Sequence, residues 1–538
     1  MTKGTALNLT NRQQSFADLG AETFDILIIG AGITGCGIAR DAAMRGLRTV
    51  LIDTGDIAAG TSSRSSKLIH GGLRYLAQGQ VGVVREAANE RRTLRRIAPH
   101  LSQTTFMVIP TPSKKVTTGF RAVMWTYEKL SKVNKAERHE IWDSKKLEAQ
   151  EPAVIKGKHT DAVVYPEYLT DDTRLTLANA RSAAAHGALV VTYAAARQLI
   201  TENGVVTGAE VCSTLPGHNQ QAMVQAKIVV NAAGPWVDAV RQLEDQKAIK
   251  KLQLTKGIHL VFSQQRLPVQ RTIIWNAPDG RSIFAVRRGK FVYIGTTDTF
   301  YPEPEYRPEI TREDIDYLLD SANQIFDVEP LTTKDVVSLW SGLRPLLGGE
   351  GKSPSEISRR NEVLTGPGGV KAIAGGKLTS YRSMASRLVD LCEKQLGRKP
   401  SPAPTWKEPL PGGDFREPLV ELMAKLESFD LSPVEAERAA RLYGSEALEL
   451  FAKGGGPAVE AAFAVTHEGA LTLEDYWVRR SSRACFDDNG GLAALEPAAE
   501  VMAALLGWTD DERKRQVDFC RKQREEDLIL LKPQSGKT

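Results

Sequence analysis

Several features are scarce in this chain, and each scarcity excludes a class of protein. Only five of the 538 residues are cysteine, at Cys36, Cys212, Cys392, Cys485 and Cys520, and no two of them form a Cys-x-x-Cys pair. An odd and scattered set argues against a disulfide framework and against a cysteine-rich metal site. The set is typical of a protein in a reducing cytoplasm, so we expect a cytoplasmic location and no metal.

Long apolar runs and a strong charge excess are also missing. No run of about 18 apolar residues occurs, so the sequence predicts no transmembrane helix. Residues 1–20 are polar and lack the apolar centre of a signal peptide, which predicts a flexible leader. The net charge of +5 is small for this length and gives no case for nucleic-acid binding. A chain this long predicts two or three domains.

The most informative stretch runs from 24 to 76, and its first part ends at Asp53. An apolar run ends at Gly30-Ala31-Gly32-Ile33-Thr34-Gly35, a helical stretch follows, and a second apolar run closes on Asp53. Strand, glycine turn, helix and strand, with an acid about 20 residues after the glycines, are typical of a dinucleotide-binding unit. The alternative is an ordinary βαβ unit whose glycines only turn the chain.

Each part of this stretch has a physical role in the dinucleotide interpretation. Gly30 permits the tight turn, Gly32 lets a pyrophosphate approach, and Gly35 lets helix and strand pack closely. The N–H groups at Ile33 and Thr34, at the helix N-terminus, attract the phosphates. The carboxylate of Asp53 can accept hydrogen bonds from a ribose.

A basic segment, 114–135, supports two interpretations. It carries six lysines and arginines against one acid, and Phe120, Met124 and Tyr127 recur at helical spacing, with Trp125 beside them. A basic helix with an aromatic face can rest on anionic lipid. An amphipathic surface helix that packs on its own core has the same pattern. The sequence leaves both open.

Later glycine-rich and serine-rich stretches follow predicted strands and suggest which dinucleotide is bound. They are spread over the first 400 residues, at 61–66, 231–234 and 375–379. A chain that returns repeatedly to one site suits an extended cofactor such as FAD. Residues 399–413 hold five prolines and two glycines, which predicts a domain boundary.

Seven segments, in order along the chain, resemble signatures of the FAD-dependent glycerol-3-phosphate dehydrogenases. They are TSSRSSKLIHGGLRYL (61–76), DDTRL (171–175), KGIH (256–259), GTTD (295–298), SGLRPL (341–346), GGKLTSYR (375–382) and DYWVRR (475–480). The resemblance implies an α/β fold: a glutathione-reductase-like, FAD-binding Rossmann domain, an inserted antiparallel substrate sheet and a helical C-terminal domain. We assign 21–398 to the oxidoreductase domain, with the inserted sheet at roughly 255–345. Residues 399–413 are then the linker and 414–538 the helical domain.

The resemblance also implies an activity. Members of this family oxidise sn-glycerol 3-phosphate to dihydroxyacetone phosphate by hydride transfer from C2 to FAD and pass the electrons to a membrane quinone. The substrate phosphate calls for arginines. By resemblance, the substrate-binding residues are Arg74, Tyr75, Arg344, Arg359 and Lys377.

The proton acceptor and the cofactor contacts follow from the same segments. Among catalytic residues we expect Arg344 and Lys377, with His259 ranked first as the base. His70 and Lys377 remain alternative bases. Beyond the glycine turn and Asp53, the expected cofactor-binding residues are Thr61, Ser62, Ser65, Ser66, His70, Ala233, Gly234, Gly376 and Thr379.

Other readings remain open. An oxidase of the same family, which uses O2 instead of a quinone, would share every segment named above. An amino-acid oxidase of the same fold and a non-catalytic flavoprotein binding module are further alternatives. If the basic segment rests on lipid, it favours the quinone-linked enzyme, at the inner face of the cell membrane, over the oxidase. The oligomeric state stays open, with a homodimer as one hypothesis.

Overall fold

The computed structural model contains two sheets with their helices, followed by a set of C-terminal helices. It describes residues 6–71, 81–131, 137–348, 361–415, 417–452 and 454–532. The α-helices are Arg12–Ala21, Ile33–Met44, Val81–Ile97, Lys114–Ser131, Ser144–Gln150, Asp172–Ala185, Val237–Glu244, Arg312–Asn323, Tyr381–Gln395, Leu419–Glu427, Pro433–Tyr443, Glu446–Phe451, Pro457–Glu468, Arg483–Phe486, Leu495–Leu506 and Asp510–Leu531. The strands are β1 (Thr23–Ile29), β2 (Thr49–Ile52), β3 (Leu68–Ile69), β4 (Gln103–Thr111), β5 (Glu140–Asp143), β6 (Asp161–Leu169), β7 (Leu189–Val191), β8 (Ala194–Glu202), β9 (Val205–Ser213), β10 (Gln221–Asn231), β11 (Leu252–Ser263), β12 (Thr272–Asn276), β13 (Ser282–Arg288), β14 (Phe291–Gly295), β15 (Thr299–Tyr301), β16 (Val336–Leu347), β17 (Glu362–Thr365) and β18 (Lys371–Ala374).

The first sheet is the Rossmann sheet that the glycine motif predicts. Its order is β17-β18-β10-β1-β2-β7, and β8 and β9 extend it from β10. The central pairs β1–β2, β1–β10, β2–β7 and β10–β18 are parallel. From its second residue on, β1 is buried throughout, as expected for a parallel strand covered on both faces. The carboxyl ends of β1, β2, β10 and β18 therefore meet at one edge, where ligands of such sheets bind.

The second sheet has ten strands, in the order β15-β11-β14-β13-β12-β4-β6-β3, with β16 paired to β11 and β5 to β6. Its longest pair joins β11 to β16 in antiparallel register, with Gly257 opposite Gly342. The range 255–345 expected from the sequence covers most of six strands, β11 to β16. Four more strands, β3 to β6, come from earlier in the chain. They join the sheet through β4, which pairs in parallel with β12. The second sheet is therefore assembled from two separate stretches of the chain.

Helices dominate the chain beyond the linker, so the expected fold class is confirmed in all three parts. One apolar cluster joins Pro457–Glu468, Leu495–Leu506 and Asp510–Leu531 around Tyr476 and Trp477. The last helix also reaches the second sheet, where Arg524 Nη2 donates to the carbonyl of Val337 at 2.7 Å. The C-terminal domain therefore packs on the oxidoreductase part.

The N-terminal stretch contradicts the flexible leader expected over residues 1–20. From residue 6 onward the chain is folded, and the helix Arg12–Ala21 buries Leu19. The N–H of Leu7 donates to the carbonyl of His467 at 2.9 Å. This stretch is polar overall, and the few apolar residues that anchor it gave no periodic signal in the sequence.

The linker, 399–413, is also held against the rest of the protein. The side chain of Arg40 donates to the carbonyls of Thr405 and Glu408, at 3.2 and 2.8 Å. The N–H of Leu410 donates to the carbonyl of Ile97 at 2.7 Å. The proline-rich composition thus marks a connection with fixed contacts.

The helix within the basic segment runs from Lys114 to Ser131. Met124 and Tyr127 are buried in a core cluster, and Phe120 packs against it. The aromatic face considered for lipid contact therefore faces the protein interior, apart from Trp125, which is 57% exposed. Lys132 and Lys135 lie outside the described residues. Over the described part of the chain, no helix combines the length and apolarity needed to cross a membrane.

Candidate functional site

A cavity of about 1680 Å³ lies between the edge of the Rossmann sheet and the second sheet. Its lining includes the glycine turn after β1, the loop after β2, the serine-rich segment and the second glycine turn after β18. Strands β11 and β16 close the other side with His259 and Arg344. This volume exceeds the range of about 300–1,000 Å³ typical of a pocket for one drug-sized molecule. It leaves room for an extended cofactor and a substrate together.

The first glycine turn has the geometry that the motif predicts. Gly30 has φ +113°, and a Cβ there would lie 2.6 Å from the carbonyl oxygen of Ala232. A Cβ on Gly35 would lie 1.8 Å from the carbonyl oxygen of Gly30. Gly30, Gly32, Ile33 and Thr34 line the cavity, whereas Gly35 does not. Gly35 therefore serves the packing of helix on turn, as its motif position implies.

Asp53 stands at the end of β2 and lines the same cavity. Its carboxylate accepts the N–H of Ala31 at 2.6 Å and that of Gly55 at 2.8 Å. Burial raises the pKa of Asp53 to about 6, although the two backbone hydrogen bonds act in the opposite direction. The acid is thus fixed to the glycine turn, at the position where a ribose is expected.

Four of the five hydroxyl residues in the serine-rich segment line the cavity and have protein partners, namely Thr61, Ser62, Ser65 and Ser66. Ser62 Oγ accepts the N–H of Ile33 at the helix N-terminus, at 2.9 Å. Thr61 Oγ1 donates to the carbonyl of Leu343 at 2.7 Å. Ser65 Oγ donates to Asp172 Oδ2 at 2.7 Å, and Ser66 Oγ lies 2.9 Å from His259 Nε2. These hydroxyls fix the loop against its surroundings as well as facing the cavity.

The remaining expected cofactor residues come from three other turns and line the same cavity: His70, Ala233, Gly234, Gly376 and Thr379. Gly376 has φ +95°, a conformation that favours glycine. Thr379 Oγ1 donates to the carbonyl of His70 at 3.3 Å, which joins two of the turns. A short 3₁₀ turn, Leu378–Ser380, leads from here into the helix Tyr381–Gln395. Leu378 and Thr379 of this turn line the same cavity as the first helix N-terminus.

Arg344 is held at the opposite wall. Its Nη2 donates to Thr296 Oγ1 at 2.9 Å, and its Nη1 pairs with Asp298 Oδ1 at 3.1 Å. A Cβ on Gly257 would lie 2.2 Å from Nη2 of this arginine. Glycine at 257 therefore makes the space that the guanidinium occupies.

His259 is buried next to Arg344. Its Nε2 lies 2.9 Å from Ser66 Oγ, and its ring stacks on Trp340 with centroids 4.5 Å apart. Burial, together with the charges of Arg344 and Lys67, holds the pKa of His259 well below its usual value. These effects favour the neutral imidazole, which carries one unprotonated ring nitrogen.

The other expected substrate residues are placed only in part. Lys377 lines the cavity with Arg344 and His259. Arg74, Tyr75 and Arg359 lie outside the described residues, so their positions stay predictions from the sequence. The described cavity therefore contains two of the expected cations, Arg344 from the second sheet and Lys377 from the turn after β18.

Two aromatic residues that the sequence did not single out also line the cavity. The rings of Trp236 and Tyr306 lie 4.5 Å apart at an interplanar angle of 36°. Tyr306 comes from the loop after β15, and its hydroxyl reaches Gly55 in the loop after β2. Trp236 follows a recognisable glycine turn, whereas the acidic, proline-containing surroundings of Tyr306 give no signal of a site.

The donor set fits a dinucleotide cofactor. A helix N-terminus with a close-approach glycine suits the pyrophosphate, and an acid fixed at the end of β2 suits a ribose. The cavity continues from these groups to a guanidinium and a neutral imidazole. Such a site can hold an anionic substrate beside the cofactor and accept a proton from it.

Comparison with known proteins identifies two family models in the chain. The FAD dependent oxidoreductase family matches residues 25–382. The C-terminal domain of alpha-glycerophosphate oxidase matches residues 403–513. Aerobic glycerol-3-phosphate dehydrogenase from Bacillus subtilis is 37% identical over 95% of this chain and 96% of its own length. The enzyme of that name from Staphylococcus saprophyticus is 38% identical over the same shares.

Solved structures give the same result. The crystal structure of glycerol-3-phosphate dehydrogenase from Bacillus halodurans, determined with FAD, matches with a TM-score of 0.80 and 32% identity. The match covers 99% of this chain and 100% of that one. L-proline dehydrogenase from P. horikoshii matches with a TM-score of 0.56 at 16% identity, over 72% of this chain and 97% of its own. The second likeness concerns the fold alone.

Proposed function

Because the chain belongs to the family of FAD-dependent glycerol-3-phosphate dehydrogenases, we propose that it oxidises sn-glycerol 3-phosphate to dihydroxyacetone phosphate by hydride transfer from C2 to FAD. The observation that carries this proposal is the single cavity in which the dinucleotide-binding turns face Arg344, Lys377 and His259. The activity belongs to glycerol and glycerophospholipid catabolism.

FAD, when bound, supplies the two-electron acceptor for the hydride. The glycine turn at 30–35 and the loop at 61–66 are the groups that hold it, with Asp53 at the ribose. The second glycine turn, at 375–379, adds backbone N–H groups and the Lys377 cation. Donors fixed in this way can stabilise negative charge without reorganising during the reaction.

The substrate phosphate binds at Arg344. Thr296 and Asp298 fix the orientation of this guanidinium, so little side-chain freedom is lost when a phosphate binds. Lys377 supplies a second cation on the cavity wall. By resemblance, Arg74, Tyr75 and Arg359 complete the anion site.

The C2 hydroxyl must lose its proton as the hydride leaves, and His259 is the proposed acceptor. Its low pKa makes it a weak base in the free enzyme, in part because of the Arg344 charge. A phosphate dianion on Arg344 offsets that charge and raises the basicity of the imidazole when substrate is present. Ser66, which contacts Nε2, can hold the ring in position.

The electron acceptor is a membrane quinone in this proposal. The helix Lys114–Ser131 supplies an apolar part of the cavity wall, including Val116, Phe120 and Val123. The same helix exposes Trp125, with Lys129 Nζ 3.7 Å from the centre of its ring. An apolar acceptor can therefore approach from a membrane surface that this helix touches.

Molecular oxygen is the second candidate acceptor. It is favoured by the C-terminal match to a domain of alpha-glycerophosphate oxidase. The two candidates differ in the reoxidation step alone, so a single anaerobic experiment separates them.

The test starts with the purified holoprotein under anaerobic conditions. We expect sn-glycerol 3-phosphate to bleach the yellow flavin band, and a soluble quinone analogue to restore it much faster than air does. Fast recovery in air would establish an oxidase instead. A band that does not bleach with substrate but does bleach with dithionite would refute the substrate assignment.

The membrane contact has its own test. Binding to vesicles that contain anionic lipid is compared for the wild type and Trp125→Ser, and Trp406→Ser is the control because Trp406 is 40% exposed but lies on another segment. We expect the Trp125 variant alone to bind the vesicles more weakly. Equal binding of all three proteins would contradict a lipid contact through this helix.

A further inference from the structure

The C-terminal segment Asp475–Arg480 makes a contact that the proposed reaction does not use. It forms a single π-helical stretch, a rare form that frequently marks functional positions. Arg479 Nε donates to Asp56 Oδ2 at 2.6 Å, and Arg480 donates to both carboxylate oxygens of Asp56, at 2.6 and 2.7 Å. All three side chains are buried, and the Asp56 side chain is 0% exposed.

Asp56 belongs to the loop that begins at Asp53 and ends at Gly60. Asp53, Thr54, Ala59 and Gly60 line the cavity, whereas Asp56 does not. The carboxylate therefore lies behind the loop, on the side away from the cofactor. Any effect of Asp56 on the cofactor must act through the loop itself.

The loop is in turn bonded to the first glycine turn. The N–H of Ala58 donates to the carbonyl of Ala31 at 3.0 Å, and Asp53 accepts the N–H of Ala31. Ala58 has φ +63°, which is unfavourable for a residue with a side chain and persists only where its surroundings enforce it. Arg479 and Arg480 hold the chain at Asp56, two residues before Ala58.

A second path joins the same segment to the same loop. The hydroxyl of Tyr193 donates to Asp475 Oδ1 at 2.6 Å, and the N–H of Tyr193 donates to the carbonyl of Gly55 at 2.9 Å. Asp475 also binds Arg479. The C-terminal domain thus holds the loop at two neighbouring residues.

We propose that the C-terminal domain, through Arg479 and Arg480 on Asp56, positions the 53–60 loop for binding the adenosine diphosphate half of FAD. These three residues are positioning residues, because none of them lines the cavity. The inference rests on the cofactor role proposed above for Asp53 and the glycine turn. It gives the C-terminal domain a part in cofactor affinity.

A matched control exists within the C-terminal domain. Glu460 is also a fully buried carboxylate bound by two arginines, Arg438 at 2.5 Å and Arg483 at 2.8 Å. In both clusters burial alone would raise the carboxyl pKa, but the arginines outweigh it and hold the pKa of Asp56 and of Glu460 below the usual range. Glu460 has no bond to the cofactor loop among its described contacts.

The experiment compares Asp56→Asn with Glu460→Gln, both near-isosteric. The dissociation constant of FAD is measured by titrating the cofactor back after removal, and that of ADP by competition. Asp53→Asn serves as the direct-contact reference. Arg480→Lys is compared with Arg480→Gln to test whether a retained charge preserves binding. Thermal midpoints of the cofactor-free proteins report folding separately.

We expect Asp56→Asn to weaken both FAD and ADP binding by about tenfold or more. Glu460→Gln should lower the thermal midpoint with little change in either dissociation constant, and Arg480→Lys should weaken binding less than Arg480→Gln. The inference is overturned if Asp53→Asn weakens binding and Asp56→Asn does not, or if Glu460→Gln weakens it equally. If neither Asp53→Asn nor Asp56→Asn changes binding, the cofactor role of the loop fails as well.

Discussion

Gly257 leaves the space for the Arg344 guanidinium, so Gly257→Ala should displace that group with little effect on the fold. A Cβ would lie 2.2 Å from Arg344 Nη2 and 2.3 Å from Thr296 Oγ1, where ordinary contacts begin near 3.4 Å. The guanidinium is the end of a flexible side chain, so it can yield by about 1 Å while the strand stays in place. Gly257 does not have a positive φ, so the backbone there tolerates alanine.

The magnitude follows from what the displaced group is proposed to bind. A hydrogen bond to a charged group contributes about 1.5–3 kcal/mol, which corresponds to a factor of about 10–150 in affinity. We expect kcat/KM for sn-glycerol 3-phosphate to fall by a factor in that range. The inhibition constant of inorganic phosphate should rise in the same proportion, because it competes for the same arginine. FAD content should not change.

Steady-state kinetics at saturating acceptor, with phosphate as a competitive inhibitor, test this expectation. Gly82→Ala is the control, since a Cβ there meets nothing within 4 Å. The reasoning would be refuted if Gly257→Ala left both constants at wild-type values. A fall in kcat/KM with an unchanged phosphate inhibition constant would also refute Arg344 as the phosphate ligand.

Three further outcomes can be measured. Lys377→Met should lower kcat/KM by about tenfold or more, and Lys377→Arg by less, because a cation near the reacting groups is retained. Tyr306→Ala should weaken FAD binding by about fivefold, the value of one aromatic contact, and FAD titration would contradict this if affinity were unchanged. Burial lowers the pKa of His100 to about 3, so the unfolded chain binds the extra proton first and stability falls as pH drops below 6.5. The free energy of unfolding should fall by about 2 kcal/mol at pH 5. Denaturant unfolding at pH 7 and pH 5 should show a smaller fall for His100→Gln than for the wild type. An equal fall in both proteins would contradict the assignment to His100.

Local sequence patterns predicted the Rossmann unit because its requirements are local. Gly30 must adopt a positive φ, and Gly35 must leave room for the carbonyl of Gly30. Both requirements concern residues that are close together in the sequence. The same holds for the position of Asp53 at the end of β2. A motif of this kind constrains the backbone directly, so it can be read without knowing the tertiary structure.

The parts that the sequence did not predict depend on residues distant in the chain. β4 joins the second sheet through β12, more than 150 residues later, and no pattern within β4 indicates that partner. Tyr306, in the loop after β15 of the second sheet, packs against Trp236, which follows β10 of the Rossmann sheet. The bond between Asp56 and Arg480 spans 424 positions. Such pairs become visible only when the fold brings them together.

The serine-rich segment shows that the expected position of a residue does not reveal its hydrogen-bond partner. The motif placed Ser65 and Ser66 at the cofactor, and both do line the cavity. Their hydroxyls, however, contact Asp172 and His259. A resemblance carries over the position of a residue, whereas its hydrogen-bond partner is decided by the packed structure.

The proposed function assigns the two anionic ligands to different kinds of donor, and this difference suits a site that is divided between two sheets. On the Rossmann side, the proposed donors to the pyrophosphate are backbone N–H groups at a helix N-terminus, which require glycines and a fixed turn. On the other side, the proposed ligand of the substrate phosphate is Arg344, which Thr296 and Asp298 orient at the second sheet. Backbone donors bind an extended cofactor without adding formal charge next to the reacting carbon. In the same proposal, positive charge at the substrate comes from the side chains of Arg344 and Lys377, which both line the cavity.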